Sequence, residues 1–447
     1  MAADSLLCGT DGTIPPECDG QPNPVETFRK LIENDSALYM LANGMFDEIP
    51  TKPPYDKDPT TLKKQVRNYK TMLYLFNTLL KRVPEWFGGK GPNGEDIPNG
   101  LIGFPFNIIV DWPMGTASGR QFFLDPRVND CLKDILNLWG KFLKDPNGGT
   151  SDPSAGNRLL REAGWNKPEA IAQLERKANE ATPDEKYKKF QDLYEVPIGG
   201  CPENFFNFSC WDEFFTRKFK EGIRPVADSA VVSACESFPL AFDTEVSRRS
   251  TFWLKGTPYS LRDMLGANDE AHTDIATFVN KFAGGTVYQA FLSADSYHCW
   301  HAPATGQVVY RSILQGTYYA ETAATGFGAA GGPDPAGPDR SQRYITHMAT
   351  RGILIIDTDK GGANIGLVCF IPVGMSEVST CEWFGNTHVG NSVSKGDLIG
   401  AFHAGGSTHA LVFQKSAMEK LEFNPKVQYP ETSSVNIAVN SRFAWLR

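Results

Sequence analysis

Apolar residues recur at intervals of three and four positions through most of the first 200 residues, which is the pattern of amphipathic helices. In the segment that opens at Asp58-Pro59, apolar side chains between Val66 and Leu80 line one broad face, and the Gly/Pro-rich stretch 88–100 follows. The pattern predicts helices over residues 25–38, 58–80, 128–143, 168–193 and 211–219. We therefore expect a mainly α-helical N-terminal region.

The pattern changes after Cys201, and beyond Arg224-Pro225 short apolar runs alternate with glycine-containing turns. Runs rich in Val, Ile, Leu, Phe and Tyr at this spacing are typical of strands in a β-sandwich or barrel. The predicted strands cover residues 230–235, 252–255, 307–313, 353–357, 366–373 and 410–414. The whole pattern indicates an α+β fold, with a helical N-terminal region followed by a β-rich, sandwich- or barrel-like domain.

The domain organisation follows from the same change of pattern. A chain of 447 residues is longer than one compact core requires, at roughly 100–200 residues per domain. We predict a mobile Gly/Pro/Asp-rich tail at 1–24, a helical domain at 25–200 and a β-rich domain at 201–447. The Gly/Ala/Pro-rich segment 321–340 is a long loop, for which disorder and a lid are both open interpretations.

Composition and charge exclude several classes of protein. The net charge of -8 argues against nucleic acid as a partner, since such proteins carry a basic surface. No apolar run approaches the ~18–20 residues of a membrane span, and the N-terminal residues lack the pattern of a secretory signal, so we expect a cytosolic protein. The nine cysteines include no C-x-x-C pair, which favours free thiols over a disulfide framework or a zinc site.

One short stretch, Gly405-Gly406-Ser407-Thr408, combines two glycines with a serine directly after a strand-like segment. Glycines remove Cβ crowding beside a peptide bond, and a serine hydroxyl supplies a nucleophile on its other side. The combination suits a backbone bond that is bent and attacked from within. Taken alone, these residues equally describe an ordinary tight turn.

Two of the seven histidines stand close together as His298 and His301, and Pro303 follows them. On a helix this i, i+3 spacing would place both on one face as a metal pair, but Pro303 disfavours a helix, and no third ligand stands at a suitable spacing. We therefore predict no metal site. Glu236 ends an apolar strand-like run, where it is either a surface acid at the strand end or an acid that orients a histidine.

These features occur in the order of the sequence motifs of a known family. The pieces that carry the likeness are Phe214-Phe215-Thr216-Arg217 with Arg224-Pro225, Ser233–Ser237, Lys255–Ser260, Tyr297–Pro303, Val373-Gly374-Met375 and Lys395–Thr408. Together they resemble the pyruvoyl-dependent phosphatidylserine decarboxylase family. Each motif alone is weak, whereas their number and order make a chance match improbable.

Segments in the first half of the chain resemble one particular branch of this family. Met114–Gly119, Leu138–Leu143 and Gly164-Trp165 are similar to the N-terminal region of the soluble fungal L-tryptophan decarboxylases. The chain also departs from the usual family pattern: Glu236 replaces an Asp, Cys299 replaces an Arg, Gly405 replaces a Leu, and Asp295 stands one position too early in its motif.

The resemblance implies a catalytic domain of the phosphatidylserine decarboxylase type at 201–447 that cleaves itself between Gly406 and Ser407. In this scheme His301, held by Glu236, is the general base for Ser407, which attacks the Gly406 carbonyl. Ser407 then becomes a covalent pyruvoyl cofactor, and chains 1–406 and 407–447 stay associated. The cofactor takes the substrate amine as a Schiff base, and His298 returns a proton after CO2 leaves.

The substrate implied by the soluble branch is a free amino acid, favoured as aromatic and similar to L-tryptophan. Phosphatidylserine is the alternative substrate, and an uncut family member that serves as a binding scaffold is an alternative of another class. We expect a small-molecule substrate, neither a nucleic-acid partner nor a membrane span, and no metal. A homo-oligomer is compatible with the sequence, which does not fix the oligomeric state.

Overall fold

A computed structural model describes residues 14–18, 20–86, 88, 104–250, 257–267, 274–335, 337–377, 380–430 and 436–447. These residues group into two compact units, each assembled from separate stretches of the chain. The first comprises residues 1–170, 202–213 and 316–342, and the second 171–201, 214–315 and 343–447. The continuous domain ranges expected from the sequence remain predictions.

The helices are numbered along the chain as follows: α1 Pro24–Asn34, α2 Ser36–Asp47, α3 Tyr69–Leu79, α4 Pro105–Met114, α5 Ala117–Leu124, α6 Pro126–Leu143, α7 Ala155–Glu162, α8 Pro168–Glu180, α9 Phe190–Leu193, α10 Trp211–Phe215, α11 Leu261–Met264, α12 Ile275–Phe282, α13 Gly337–Arg340, α14 Gln342–Ile345, α15 Lys415–Lys420 and α16 Pro425–Gln428. A 3-10 helix covers Pro202–Asn207. None of these described helices has both the length and the apolar surface that crossing a membrane requires.

The strands are β1 Glu17–Cys18, β2 Gln21–Pro22, β3 Val231–Val232, β4 Phe238–Asp243, β5 Thr286–Leu292, β6 Cys299–His301, β7 Gly306–Leu314, β8 Arg351–Asp357, β9 Leu367–Ser376, β10 Thr380–Trp383, β11 Ser392–Val393, β12 Leu398–His403, β13 Gly406–Phe413, β14 Leu421–Phe423 and β15 Arg442–Leu446. The predicted strand 252–255 lies outside the described residues. Strands β1 and β2 form a hairpin within the predicted tail, of which residues 1–13 also lie outside.

The first unit is built around packed helices. The long helix α6 buries one apolar face, and Trp139 on that face packs edge-on against Phe106 of α4 with ring centroids 5.1 Å apart. Local polar caps fix the helix starts, since the Asn23 side chain accepts a hydrogen bond from the Val25 N–H at the start of α1. The expected helical N-terminal region is confirmed.

One predicted helix start is wrong. Helix α3 begins at Tyr69 and not at Asp58. The Asp58 carboxylate accepts hydrogen bonds from the backbone N–H groups of Thr60, Thr61 and Lys63, which folds this segment into a turn. An Asp that bonds nearby N–H groups competes with helix formation, and here the turn prevails until Asn68 caps α3.

The described residues of the second unit form three antiparallel sheets. A seven-stranded sheet has the order β11-β7-β8-β9-β13-β5-β4, and two three-stranded sheets have the orders β10-β12-β6 and β14-β15-β3. The large sheet packs against both smaller ones, because Phe370 of β9 contacts Trp300 of β6 and Phe413 of β13 contacts Phe443 of β15. The predicted α+β class is thus confirmed. The second unit consists of layered, open sheets, and none of the described sheets closes into a barrel.

Candidate active site

Ser407 lies on β13, a central strand of the seven-stranded sheet, which explains its burial. Its register partners are Leu292 on β5 and Gly374 on β9. The side chain is fully buried, and its Oγ has no hydrogen-bond partner among the described residues. Buried hydroxyls in folded proteins almost always have a partner, so this exception calls for a functional explanation.

The backbone on the N-terminal side of Ser407 is strained. The chain leaves β12 in one sheet and enters β13 in another through Ala404 and Gly405, whose φ angles are 58° and 75°. A left-handed conformation costs an L-residue such as Ala roughly 1–2 kcal/mol. Gly406 pairs with Ser376 and Ser407 with Gly374, so the ladder to β9 is interrupted at the 406–407 peptide bond. The predicted cleavage site therefore coincides with a bulge and a strained turn.

His301 is the last residue of β6, and its register partner is Leu398, the first residue of β12. Of the residues of β12, Leu398 is the one farthest from Ser407 along the chain. The Nδ1 of His301 donates a hydrogen bond to the Gly396 carbonyl (2.8 Å), so its Nε2 accepts one from the Tyr297 hydroxyl (2.9 Å). Burial lowers the pKa of His301, against the smaller opposing effects of Gly396 and Asp397. The ring is therefore neutral and held at both nitrogens.

Glu236 is fully buried and forms a two-pronged ion pair with Arg224. Arg224 donates from Nε to Oε2 (2.7 Å) and from Nη2 to Oε1 (2.9 Å), and also to the Ala178 carbonyl (2.7 Å). Burial, the largest single cause, acts to lower the pKa of Arg224, but the charge and the hydrogen bonds of Glu236, with smaller effects of other groups, together raise it. The reading of Glu236 as a surface acid is wrong.

The expected hydrogen bond between Glu236 and His301 is not formed in this structure. Both carboxylate oxygens face Arg224, and both His301 nitrogens have other partners. The side chain that contacts the His301 ring is Tyr297. The pKa of Tyr297 is raised well above its ordinary value, first by burial, then by Cys299 and by the negative charge of Glu236, so its hydroxyl stays protonated as a donor to His301.

His298 lies close to the strand that leads into the cleavage site. Its backbone carbonyl accepts a hydrogen bond from the Phe402 N–H of β12 (3.1 Å), and its ring stacks on Phe215 at 3.9 Å. Its Nε2 donates to the Ala294 carbonyl (3.3 Å), whereas the buried Nδ1 has no partner in the described part of the chain. Burial first, and then Arg217, lower the pKa of His298 to about 3, so the ring is neutral.

The structure thus places His298, rather than His301, beside the end of β12 that leads to Ser407. Sequence reasoning assigned no role to Arg224 or Tyr297, although both stand in the motifs that carry the resemblance. It also missed His409, which shares one face of β13 with Ser407. The period-2 alternation of the 410–414 strand pattern, extended back to Ser407, was the signal that could have found His409.

Within the described ranges, no three His, Cys, Asp or Glu side chains are placed to hold a metal ion.

Comparison with known families gives two matches that together span most of the chain. Residues 211–434 match the phosphatidylserine decarboxylase family profile. Residues 22–174 match a second phosphatidylserine decarboxylase profile. The first range contains all four predicted site residues, namely Glu236, His298, His301 and Ser407.

Individual relatives include fungal and plant decarboxylases. The chain is 34% identical to the decarboxylase iboD of Amanita muscaria, over 77% of this chain and 93% of that protein. It is 28% identical to the L-tryptophan decarboxylase of Psilocybe cubensis, over 90% of this chain and 82% of that protein. Phosphatidylserine decarboxylase proenzyme 2 of Oryza sativa is 26% identical over 73% of this chain, which spans 42% of that protein.

Proposed function

Because this chain belongs to the phosphatidylserine decarboxylase family and is a carboxy-lyase, we propose that it is a self-processing decarboxylase of a free, aromatic amino acid. One observation carries the proposal. The hydroxyl of Ser407 is buried without a partner beside a peptide bond that lies at a β-bulge and follows two left-handed residues. A residue in an ordinary turn needs neither the burial nor the unpartnered hydroxyl.

The residues around Ser407 fit the formation of a pyruvoyl group. The Ser407 Oγ bonds to the Gly406 carbonyl carbon, the Gly406–Ser407 C–N bond breaks, and the hydroxyl proton passes to the released nitrogen. Loss of the Ser407 Cα proton then expels the Gly406 carboxylate and leaves dehydroalanine. Water converts the dehydroalanine to pyruvoyl and releases ammonia. Gly406 lacks a Cβ that would obstruct the attack, and the strain at Ala404 is available to favour it.

His301 serves as the general base of processing in this proposal, and the structure defines what that role requires. The Nε2 lone pair that would take a proton is occupied by the Tyr297 hydroxyl in the uncut chain. Base action therefore requires that hydroxyl to turn away, and it also requires the ring, which stands opposite Leu398, to approach Ser407. Tyr297 positions the imidazole, and the Gly396 carbonyl fixes which nitrogen carries hydrogen. The proposed part of Glu236 is to place a negative charge, paired with Arg224, behind this group.

Once formed, the pyruvoyl group supplies a carbonyl that captures the substrate amine and accepts the electrons left when CO2 departs. This chain contributes a desolvated site, since Ser407 and His298 are fully buried. Removing water from the substrate carboxylate raises its energy relative to neutral CO2. His298 is the proposed donor of the proton that replaces the carboxylate, and because its ring is neutral in the uncut chain it has to take up that proton once the substrate is bound.

The similarity to proteins named L-tryptophan decarboxylase supports an aromatic amino acid as substrate. The test compares CO2 release from L-tryptophan, L-phenylalanine, L-tyrosine and phosphatidylserine vesicles, with Ser407→Ala as the matched control. We expect turnover of at least one aromatic amino acid by the wild type and none by the control. Turnover of the vesicles alone would replace the proposed substrate with phosphatidylserine.

A further inference from the structure

His409 is a second buried group near Ser407 whose polar atoms are unused by the fold. The side chain is fully buried, and neither Nδ1 nor Nε2 has a hydrogen-bond partner among the described residues. A neutral imidazole has one N–H donor and one lone pair, and burying both without partners is costly. Such an arrangement calls for an explanation, and use of those atoms by another group during function is one.

The register of β13 places His409 on the same face of the sheet as Ser407. Ser407 pairs with Leu292 and His409 with Ala290, without interruption between them. Side chains two positions apart on a strand share a face, with Cα atoms about 7 Å apart. The Ser407 hydroxyl therefore lies within reach of the His409 ring, either directly or through one water molecule.

The side chains around His409 on this face are mainly apolar or aromatic, and among them only the Tyr288 hydroxyl is a further polar group without a partner in the described structure. Directly opposite on the neighbouring strands stand Ala290 and Pro372, which carry no polar side-chain atoms. The ring of Phe370 lies 5.9 Å away, and that of Tyr288 meets His409 edge-on at 5.9 Å. On its own strand, Ser407 is the nearest residue on this face that can share a hydrogen bond.

His409 is uncharged over the working pH range. Burial alone lowers its pKa to about 3, with no charged neighbour among the causes. The neutral ring keeps one nitrogen lone pair, which can accept a hydrogen bond from a hydroxyl. A protonated ring would have lost that lone pair.

We propose that His409 is a positioning residue for self-processing, which accepts a hydrogen bond from the Ser407 hydroxyl when the reaction begins, through one water molecule or after the side chains rotate. The inference rests on the proposed function. The hydrogen bond fixes the rotation of the hydroxyl and turns an Oγ lone pair toward the Gly406 carbonyl carbon. No proton leaves Ser407 in this interaction, so His409 complements the general base and does not replace it.

The test compares His409→Leu with His409→Gln, two side chains of similar size of which only glutamine can accept a hydrogen bond. Processing is followed by denaturing gel from the start of refolding, and the Tm of each uncut precursor is measured in the Ser407→Ala background. We expect His409→Leu to slow processing at least 30-fold while raising the Tm, because two unpartnered buried nitrogens are removed. We expect His409→Gln to process within about fivefold of wild type.

Leu411→Ala is the control for general weakening, since Leu411 lies on the same face of β13 and is fully buried. It should lower the Tm yet process within about threefold of wild type. Processing of His409→Leu at the wild-type rate, or a precursor that it destabilises or unfolds, would overturn the inference. Processing that is slowed equally in His409→Leu and His409→Gln would also overturn the inference. If wild type stays uncut, the proposed function fails before His409 is tested.

Discussion

At the scale of single residues, the site is defined by polar groups that are buried in unusual ways. Ser407 and His409 have unpartnered polar atoms, whereas Glu236 and His301 are fully engaged with Arg224, Tyr297 and Gly396. The sequence contained the identities of these residues and their motif order. It did not contain their pairing, because side chains far apart in the chain meet only through the fold.

Glu236→Gln should weaken both folding and processing. The change leaves the Arg224 guanidinium buried without its counter-charge, which typically costs about 3–5 kcal/mol of unfolding free energy. Denaturant unfolding in the Ser407→Ala background measures this loss, and a gel measures processing. The double variant Arg224→Met/Glu236→Leu should regain most of the stability but not the processing rate. Normal processing in the double variant would remove Glu236 from the mechanism.

His298→Ala should separate the two reactions of the proposed enzyme. Processing should proceed, because His298 has no assigned role in it, while CO2 release should fall about 10²–10³-fold with the loss of a proton donor. Gel analysis and CO2 release on the same preparation check both statements. Full decarboxylase activity in this variant would cancel the assignment of His298 as donor.

At the scale of elements, the hairpin-like connection from β12 to β13 delivers Ser407 to its position. The strand pattern at 410–414 predicted β13, and helix α6 was predicted nearly in full, because long periodic runs dominate their own local structure. The start of α3 was mispredicted because the Asp58 side chain captures local N–H groups. The bulge opposite Ser407 depends on pairing with β9, which no local pattern encodes.

Ala404→Gly should relieve strain in this connection. Glycine adopts the observed φ of 58° without Cβ crowding, so the uncut Ser407→Ala precursor should gain about 1 kcal/mol of unfolding free energy. If the strain favours cleavage, the same change in the active chain should slow processing severalfold. Gly405→Ala is the opposite change, and it should destabilise the precursor. Unchanged or faster processing of Ala404→Gly would show that the strain does not favour cleavage.

At the scale of the whole molecule, the two compact units differ in the buried groups whose pKa values burial shifts. The second unit buries neutral histidines as well as the ion-paired Glu236, whereas the first buries carboxyls whose pKa values are raised. In the first unit, burial raises the pKa of Glu321 to about 7 and that of Asp339 to about 6, and it raises the pKa of Asp111 strongly. Burial therefore favours the protonated form of each carboxyl, and the contribution of each carboxyl to the free energy of unfolding depends on pH.

Glu321→Gln should show this dependence through its effect on the first unit. A folded-state pKa of about 7 against an ordinary value of 4.5 means that the wild type loses stability as pH rises from about 4.5 through 7. Glutamine stays neutral, so the variant should match wild type near pH 4.5 and exceed it by up to roughly 3 kcal/mol at pH 8. The exposed Glu162→Gln is the control and should change little. Equal stability of Glu321→Gln and wild type at pH 8 would contradict this account.

The central claim is that one peptide bond of the 49.3 kDa chain, between Gly406 and Ser407, is broken in the active protein. Intact-mass spectrometry of the purified, denatured protein tests it most directly. We predict two chains, residues 1–406 and the 41 residues from Ser407 to Arg447, the second with a pyruvoyl-blocked N-terminus, while Ser407→Ala gives one intact chain. A wild-type protein that releases CO2 from its substrate yet retains a single uncut chain would contradict the account.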